Sequence, residues 1–292
     1  MKQDFKYMVC TRCFTYNHAP YIVDAMNGFT MQQTTFPYVC IIIDDASTDG
    51  EPDIIRQYFS ENFQAPYREE ETEYAHIICA RHKSNENCDF VLLLLKYNHF
   101  RINKSKFPYL SEWFAKSKYL STCEGDDRWI DPNKLHKQFV LLESNCNCNI
   151  CTHNALVVMP DGRERRFTNL PEDKIFSITR VMLMRWFTPT ASFFYRNNVE
   201  VPSTYAEMGA NGDMGLLYTN LLKGKLYYSS DVMSVYNYAT PGSLSSKTPK
   251  KVLYQKKIYL FRAINKVTNY RYVYLTLPLI LYYNLKRLAL RK

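Results

Sequence analysis

Hydrophobic and polar positions follow two different periods in the first half of the chain. Short apolar runs of strand length are separated by segments in which apolar residues recur every three or four positions. The runs cover residues 7–14, 38–43, 75–80 and 119–123, and helices are predicted over 20–29, 54–59 and 90–95 and around residue 113. This alternation predicts an α/β fold with an open, mostly parallel central sheet flanked by helices.

The alternation weakens in the second half of the chain, after Pro132. A helix is predicted over residues 133–143, strands over 150–158, 191–195 and 226–229, and a further helix from Gly212-Asp213 to Leu222. We expect this half to be a mixed region that packs on the same sheet.

Polar clusters follow three of the predicted strands. They are Thr15-Tyr16-Asn17, Asp44-Asp45 and the Asp126-Asp127 pair within the sequence EGDD. Because parallel strands bring their carboxyl ends to one edge of a sheet, we expect these clusters to form a single site.

The EGDD sequence suits a divalent cation. Two adjacent aspartates repel each other unless a cation, hydrogen bonds or water compensate for their charges. Oxygen-only ligands favour Mg²⁺ or Mn²⁺, which bind one or two carboxylates and complete their shell with water and phosphates. The sequence predicts a metal–diphosphate site, and an ordinary Gly-Asp turn is the alternative for the motif taken alone.

The excess of positive charge lies in the C-terminal tail. The net charge is +9, but residues 247–292 hold 12 of the 37 Lys and Arg, and no Asp or Glu follows Asp231. The remaining 25 basic residues face 28 acidic ones, which argues against a nucleic-acid-binding protein. In the tail, cations interleave with Tyr, Leu and Ile, which favours helices on an anionic membrane surface; helices packed on the body with a solvated basic face are the alternative.

Neither a signal peptide nor a membrane span is predicted. Lys2, Asp4 and Lys6 precede any apolar run, and no uncharged apolar stretch reaches the roughly 18 residues that a spanning helix needs. We therefore expect a cytoplasmic protein, peripheral at most on the inner face of the plasma membrane.

The nine cysteines are an odd number, which together with the absent signal favours buried, reduced thiols. Cys10 and Cys13 lie three apart in a predicted strand, so they should point to opposite faces. A zinc site built from the cluster of Cys146, Cys148, Cys151 and His153 is the alternative.

Four segments in this order resemble a known family. TYNHAPYI, IIIDDASTDG, CEGDDRW and GDMGLLYTNLLKGKLYY, which leads into VMSVY, are similar to a bacterial family 2 glycosyltransferase with the GT-A fold, over residues 8–245. EGDD followed by an aromatic residue and Asp-Pro is typical of enzymes that build capsular or lipopolysaccharide glycans.

The resemblance implies an organisation and an activity. Residues 1–240 would form the catalytic domain, with a nucleotide-sugar half (1–130) and an acceptor half (131–240), and residues 241–292 a basic, aromatic helical tail. The implied activity is inverting, metal-dependent sugar transfer from a nucleotide-diphospho-sugar, with a UDP-sugar expected. The acceptor would be a glycan or a lipid-linked glycan.

The resemblance also implies roles for individual residues. Asp45 would contact the nucleotide base, and Asp44 would shape its pocket or merely cap the Ser47-Thr48 turn. Asp127 would bind the metal, and Asp126 would face metal and ribose. Asp213 would be the catalytic base that deprotonates the acceptor, with a helix N-cap as the alternative. Thr15, Tyr16 and Asn17 complete the expected nucleotide-sugar site.

The chain departs from the family pattern at two places. The family's Tyr-Arg-x-His is replaced by Tyr236-Asn237-Tyr238-Ala239, and its Asn-x-Gly after the third strand by Asn85-Glu86-Asn87. The candidates to bind the phosphates in place of the missing basic residues are Arg81, Lys83 and Lys247. A catalytically impaired nucleotide-sugar-binding partner protein is therefore an alternative function.

A structural role is expected for one further side chain and is an alternative for two others. His18 is expected to help begin the first helix. Thr190 and Ser192 either line the acceptor pocket or make hydrogen bonds at a strand edge.

Overall fold

The computed structural model describes residues 4–210, 212–240 and 248–290, which form one twelve-stranded sheet with helices on both faces. The strands are β1 (Tyr7–Thr15), β2 (Tyr38–Asp44), β3 (Arg68–Glu71), β4 (Ala75–Arg81), β5 (Cys88–Leu95), β6 (Ser117–Thr122), β7 (Arg128–Trp129), β8 (Cys148–Val158), β9 (Glu164–Arg166), β10 (Lys174–Phe176), β11 (Phe194–Arg196) and β12 (Lys225–Asn237).

The helices flank this sheet. They are α1 (Ile22–Thr30), α2 (Glu51–Asn62), α3 (Ser111–Ala115), α4 (Lys134–Ser144), α5 (Ile178–Met182), α6 (Ser203–Glu207), α7 (Asp213–Lys223), α8 (Lys250–Val267) and α9 (Val273–Ala289), with 3₁₀ turns at Phe107–Leu110 and Thr190–Ser192.

Four strands at the centre of the sheet are parallel, in the order β6-β1-β2-β5. On one side the sheet continues through antiparallel β4 and β3, and on the other through β11, β8, β12 and β10. The predicted α/β fold with a mostly parallel centre is confirmed.

The prediction of a helix over residues 90–95 was wrong. This run is part of β5, and all eight residues of the strand are buried. A central strand is covered on both faces, so it reads as a continuous hydrophobic run without the alternation that marks a strand with one wet face.

The loop that follows the third parallel strand therefore differs from the predicted one. β4 runs antiparallel to β5, so Asn85–Asn87 lies in the turn at the opposite edge of the sheet. The loop after the third parallel strand is instead residues 96–106.

Two hydrophobic cores lie on the two faces of the sheet. One contains Cys10 and residues of α7 and α8, and the other contains Cys13 and residues of α1 and α2, which confirms that the two thiols point to opposite faces. All nine cysteines are free, and eight are buried.

The last two described helices form a hairpin that packs on elements of the second half of the chain. α8 contacts α6 and α7, and α9 lies along α8 and touches α5. Among the described residues, no helix combines the length and the apolar character needed to cross a bilayer.

Candidate functional site

The three polar clusters meet at the carboxyl edge of the parallel strands. The Asp45 N–H donates to the Thr15 carbonyl at 3.0 Å, and the Gly125 N–H donates to the Phe14 carbonyl at 3.0 Å. A Cβ on Gly125 would lie 2.1 Å from Thr15 Oγ1, so the close approach of the EGDD loop to β1 requires glycine.

Glu51 is a fully buried carboxylate that ties the β1 and β2 loops together, and the sequence analysis missed it. It accepts hydrogen bonds from the Thr15 hydroxyl, from the His18 N–H at 2.9 Å and from Ser47 Oγ at 2.9 Å. The sequence shows only an acidic residue in the first turn of α2, which is ordinarily explained by the helix dipole.

Asn17 lies in the loop between β1 and α1, where its backbone is left-handed (φ 56°), and the N-cap of α1 is Tyr21. Its Oδ1 accepts from the Thr48 N–H at 2.8 Å, and its N–H donates to Ser47 Oγ. Asn17 thus joins the β1 loop to the β2 loop.

Asp44 caps the turn that follows β2 and is also partly unpartnered. Its Oδ2 accepts from the Ser47 N–H at 3.2 Å, whereas its buried Oδ1 has no hydrogen-bond partner. Burial raises the pKa of Asp44 to about 6. The turn-capping alternative therefore explains Oδ2 of Asp44, whereas Oδ1 remains available to a ligand.

Asp45 is buried and held by the 96–106 loop. Its carboxylate accepts from the His99 N–H at 2.7 Å, from the Phe100 N–H at 3.2 Å and from Lys106 Nζ at 2.7 Å. The 96–106 loop therefore lies against Asp45, where the nucleotide base is expected. Nearby, Arg101 Nη2 donates to Tyr16 OH at 3.1 Å, so the predicted residue Tyr16 also contacts this loop.

Asp126 and Asp127 are held by residues at the end of β12 and just after it. The Asn237 N–H donates to Asp127 Oδ1 at 3.2 Å, the Asn237 amide donates to the Asp126 carbonyl at 2.6 Å, and Thr240 Oγ1 donates to Asp126 Oδ2 at 2.9 Å. His18 Nε2 lies 3.8 Å from the same Oδ2. The His18 carbonyl accepts from the Ile22 N–H in the turn that leads into α1, in agreement with its expected role at the start of this helix, but its ring also faces the site.

Asp213 of the second half joins the same acidic cluster. It is the first residue of α7, whose N-cap is Gly212, and its carboxylate accepts from the Thr190 hydroxyl instead of capping the helix. Ser192 is buried and donates to the Pro189 carbonyl, which supports its structural explanation.

The carboxylates of this cluster perturb one another. Burial raises the pKa of Glu124 to about 7, with further contributions from Asp213 and Asp126 and an opposing one from Arg12. Burial also raises the pKa of Asp127 well above its ordinary value, and Asp126, Glu124 and Asp213 add to the shift. Such a cluster favours a bound cation, which would relieve the repulsion.

The predicted phosphate-binding cations lie elsewhere. Arg81 donates to Asp89 at 2.9 Å and Lys83 to the Glu61 carbonyl at 2.6 Å, both at the opposite edge of the sheet, so these two predictions were wrong. Lys247 lies outside the described residues. The cations beside the cluster are instead Lys106 and Arg12, which is 3.5 Å from Glu124.

The donor set fits a metal that is shared with a diphosphate. Among residues 4–210, 212–240 and 248–290, no group of three or more His, Cys, Asp or Glu is arranged to hold an ion. Mg²⁺ and Mn²⁺ do not need such a group, because one or two carboxylates suffice when substrate phosphates supply the remaining oxygens. Asp126 and Asp127 can provide them.

Comparison with known proteins agrees with this architecture. Residues 14–89 match the model of the family described as "Glycosyl transferase family 2". The structure is similar to that of S. aureus TarS 1-349 in complex with UDP-GlcNAc, with a TM-score of 0.54 and 13% identity over 88% of this chain and 66% of that chain. Its complex with UDP gives a TM-score of 0.52, at 11% identity over 88% and 65% of the two chains. The fold is therefore the GT-A fold, and the match to the family model lies within its first half.

Relatives in mycobacteria cover more of the sequence. The chain is 30% identical over 226 residues to the uncharacterized proteins Rv1520 of Mycobacterium tuberculosis and Mb1547 of Mycobacterium bovis. The match covers 76% of this chain and 56% of each relative, so the chain spans about half their length.

Proposed function

We propose that this chain transfers a sugar from a nucleoside-diphosphate donor, expected to be a UDP-sugar, to a glycan or lipid-linked glycan. The single observation that carries the proposal is that Thr190 joins Asp213, from the second half, to the strand that leads into the EGDD loop. Its hydroxyl donates to Asp213, and its carbonyl accepts from the hydroxyl of Thr122 at the end of β6, at 2.6 Å. The GT-A fold and the binding of UDP-GlcNAc by TarS support it.

Asp127 and Asp126 would hold Mg²⁺ or Mn²⁺. When bound, the metal would neutralise charge that develops on the leaving diphosphate. Asn237 and Thr240 position these carboxylates through their hydrogen bonds. Lys106 and Arg12 supply positive charge beside Glu124 of the same loop.

Asp213 would accept the proton of the acceptor hydroxyl. The Thr190 hydroxyl fixes the orientation of its carboxylate. A base on the acceptor side and a leaving group held at the EGDD loop suit direct, in-line displacement, which inverts the anomeric centre.

The remaining parts of the proposal concern the nucleotide and the cellular setting. The nucleotide would be surrounded by Thr15, Tyr16, Asn17, Asp44 and Asp45, with Asp45 acting partly through the 96–106 loop that it anchors.

We assign residues 1–240 to catalysis and 241–292 to a tail. The EGDD–aromatic–Asp-Pro sequence supports a role in capsular or lipopolysaccharide glycan synthesis at the inner face of the plasma membrane.

Donor hydrolysis with Mn²⁺, together with calorimetric donor binding, tests this function across UDP-, GDP- and dTDP-sugars. Asp127→Asn should hydrolyse the donor about 100-fold more slowly and bind it more weakly. Chelation of the metal by EDTA should have the same two effects on the wild type. Asp213→Asn should bind the donor normally but lose hydrolysis and transfer. Asp161→Asn, an exposed carboxylate paired with Arg163, is the control. Hydrolysis by Asp127→Asn at the wild-type rate would refute the metal assignment.

A nucleotide-sugar-binding partner protein without catalytic activity is a second candidate. The observation that favours it is that Asn237 and Ala239, next to the Asp126-Asp127 pair, are neutral at the two positions where the family pattern has basic residues. Tight donor binding by the wild type with neither hydrolysis nor transfer would support this candidate over the enzyme.

A further inference from the structure

The last described helix, α9, is apolar on two opposite faces. Thr276 and Ile280 are buried on the face that packs against the body. The other face carries an apolar stripe with side chains 46 to 68% exposed. The stripe consists of Tyr274, Leu277, Leu281, Leu285 and Leu288.

The spacing of these residues makes the stripe continuous. Intervals of three and four positions place them on one side of the helix, over its full length. A soluble surface rarely exposes such a contiguous apolar strip without a binding partner.

Unpaired positive charge lies on the same helix hairpin as the stripe. The exposed face of the adjacent helix α8 carries Lys256, Arg262 and Lys266, and Lys286 lies near the end of α9. Within the described part of the tail, residues 248–290, none of these cations forms an ion pair, and no Asp or Glu follows Asp231.

We propose that the stripe of α9 docks on an anionic lipid bilayer, with the cations of α8 and α9 at the headgroups. A bilayer covers the apolar side chains and neutralises the basic ones at the same time. A symmetric second copy would cover the apolar stripe but would bring like charges together.

This docking would place the acceptor half against the membrane. α8 packs on α7, and α7 begins at Asp213. Resting on the proposed function, this arrangement selects a lipid-linked acceptor in preference to a soluble glycan.

Co-sedimentation with vesicles of phosphatidylcholine alone, or with about one third phosphatidylglycerol, tests the docking without donor or acceptor. Wild type should bind only the anionic vesicles and be released by high salt. Leu281→Ser with Leu285→Ser should bind at least tenfold more weakly, and so should Lys256→Glu with Arg262→Glu and Lys266→Glu. Arg163→Glu, an exposed charge reversal in the body, should bind like the wild type.

The outcomes separate the docking from catalysis. Circular dichroism and donor hydrolysis without vesicles should be unchanged in both tail variants, which shows that they are folded and that any loss belongs to the membrane contact. Failure of wild type to bind the anionic vesicles would overturn the proposal. A stable dimer in ultracentrifugation that the leucine substitutions dissociate would assign the stripe to a second copy instead.

Discussion

Replacing Glu51 with alanine should lower the free energy of unfolding by about 2–5 kcal/mol. The carboxylate is fully buried and accepts from the Thr15 and Ser47 hydroxyls and from the His18 N–H. A buried donor left without a partner costs about 1–3 kcal/mol. The two hydroxyls can turn toward other acceptors but the backbone N–H cannot, which places the expected total below the sum of three full losses.

Two matched variants separate hydrogen bonding from charge. Glu51→Gln keeps the volume and one carbonyl oxygen, and the hydroxyls can reverse to accept from the new amide, so the expected loss is about 1 kcal/mol. Asp53→Ala changes an exposed carboxylate in the same first turn of α2 and should cost about 0.5 kcal/mol or less.

Equilibrium urea unfolding followed by circular dichroism measures all three variants. The expected order of loss is Glu51→Ala, then Glu51→Gln, then Asp53→Ala. If Glu51→Ala were as stable as Asp53→Ala, Glu51 would not hold the two loops together. An equal loss in both Glu51 variants would mean that its charge, and not its hydrogen bonds, stabilises the site.

Two further predictions concern the EGDD loop and a buried lysine. Gly125→Ala should reduce donor hydrolysis about tenfold or more, because its Cβ would meet Thr15 Oγ1 at 2.1 Å and push the EGDD loop from β1. Gly162→Ala should keep the wild-type rate, because its Cβ has nothing within 4 Å and the strain of its positive φ (80°) stays in its own turn. Burial lowers the pKa of Lys134 from its ordinary 10.5 to about 7. Between these two pH values the unfolded chain holds a proton on Lys134 that the folded chain lacks. The free energy of unfolding should therefore rise with pH, by up to about 1.4 kcal/mol per pH unit. Lys134→Met should flatten this rise in urea unfolding between about pH 7.5 and 8.5, and Lys137→Met, at a lysine whose pKa is raised by Asp131, should not.

Specific outcomes would contradict these two expectations. Full donor hydrolysis by Gly125→Ala would show that the loop tolerates displacement from β1. A wild-type pH slope in Lys134→Met would show that Lys134 is not the group that takes up the proton on unfolding.

Local patterns were sufficient to predict much of the sheet edge. The strands that end at Thr15, Asp44 and Thr122 are short apolar runs followed by polar residues, and their parallel pairing brings those ends together by general rules of α/β topology. The same local signals failed for β5, because a strand buried on both faces loses the alternation on which the prediction depends.

Local patterns could not predict hydrogen bonds between residues that are distant along the chain. Nothing local to Glu51 indicates three donors from two loops, and nothing local to Asp45 indicates that residues 99–106 hold its carboxylate. Asn237 replaces a basic residue in the family pattern, yet its contact with Asp126 depends on where β12 ends in space.

The sequence by itself determined the α/β class, the three polar clusters and the excess of positive charge in the tail, because each is written in residues adjacent along the chain. The tertiary structure decided which carboxylates share one site, which cations stand beside them and which face of α9 is left uncovered. These features depend on packing between elements far apart in sequence, where burial and hydrogen-bond geometry, and not local periodicity, select the partners.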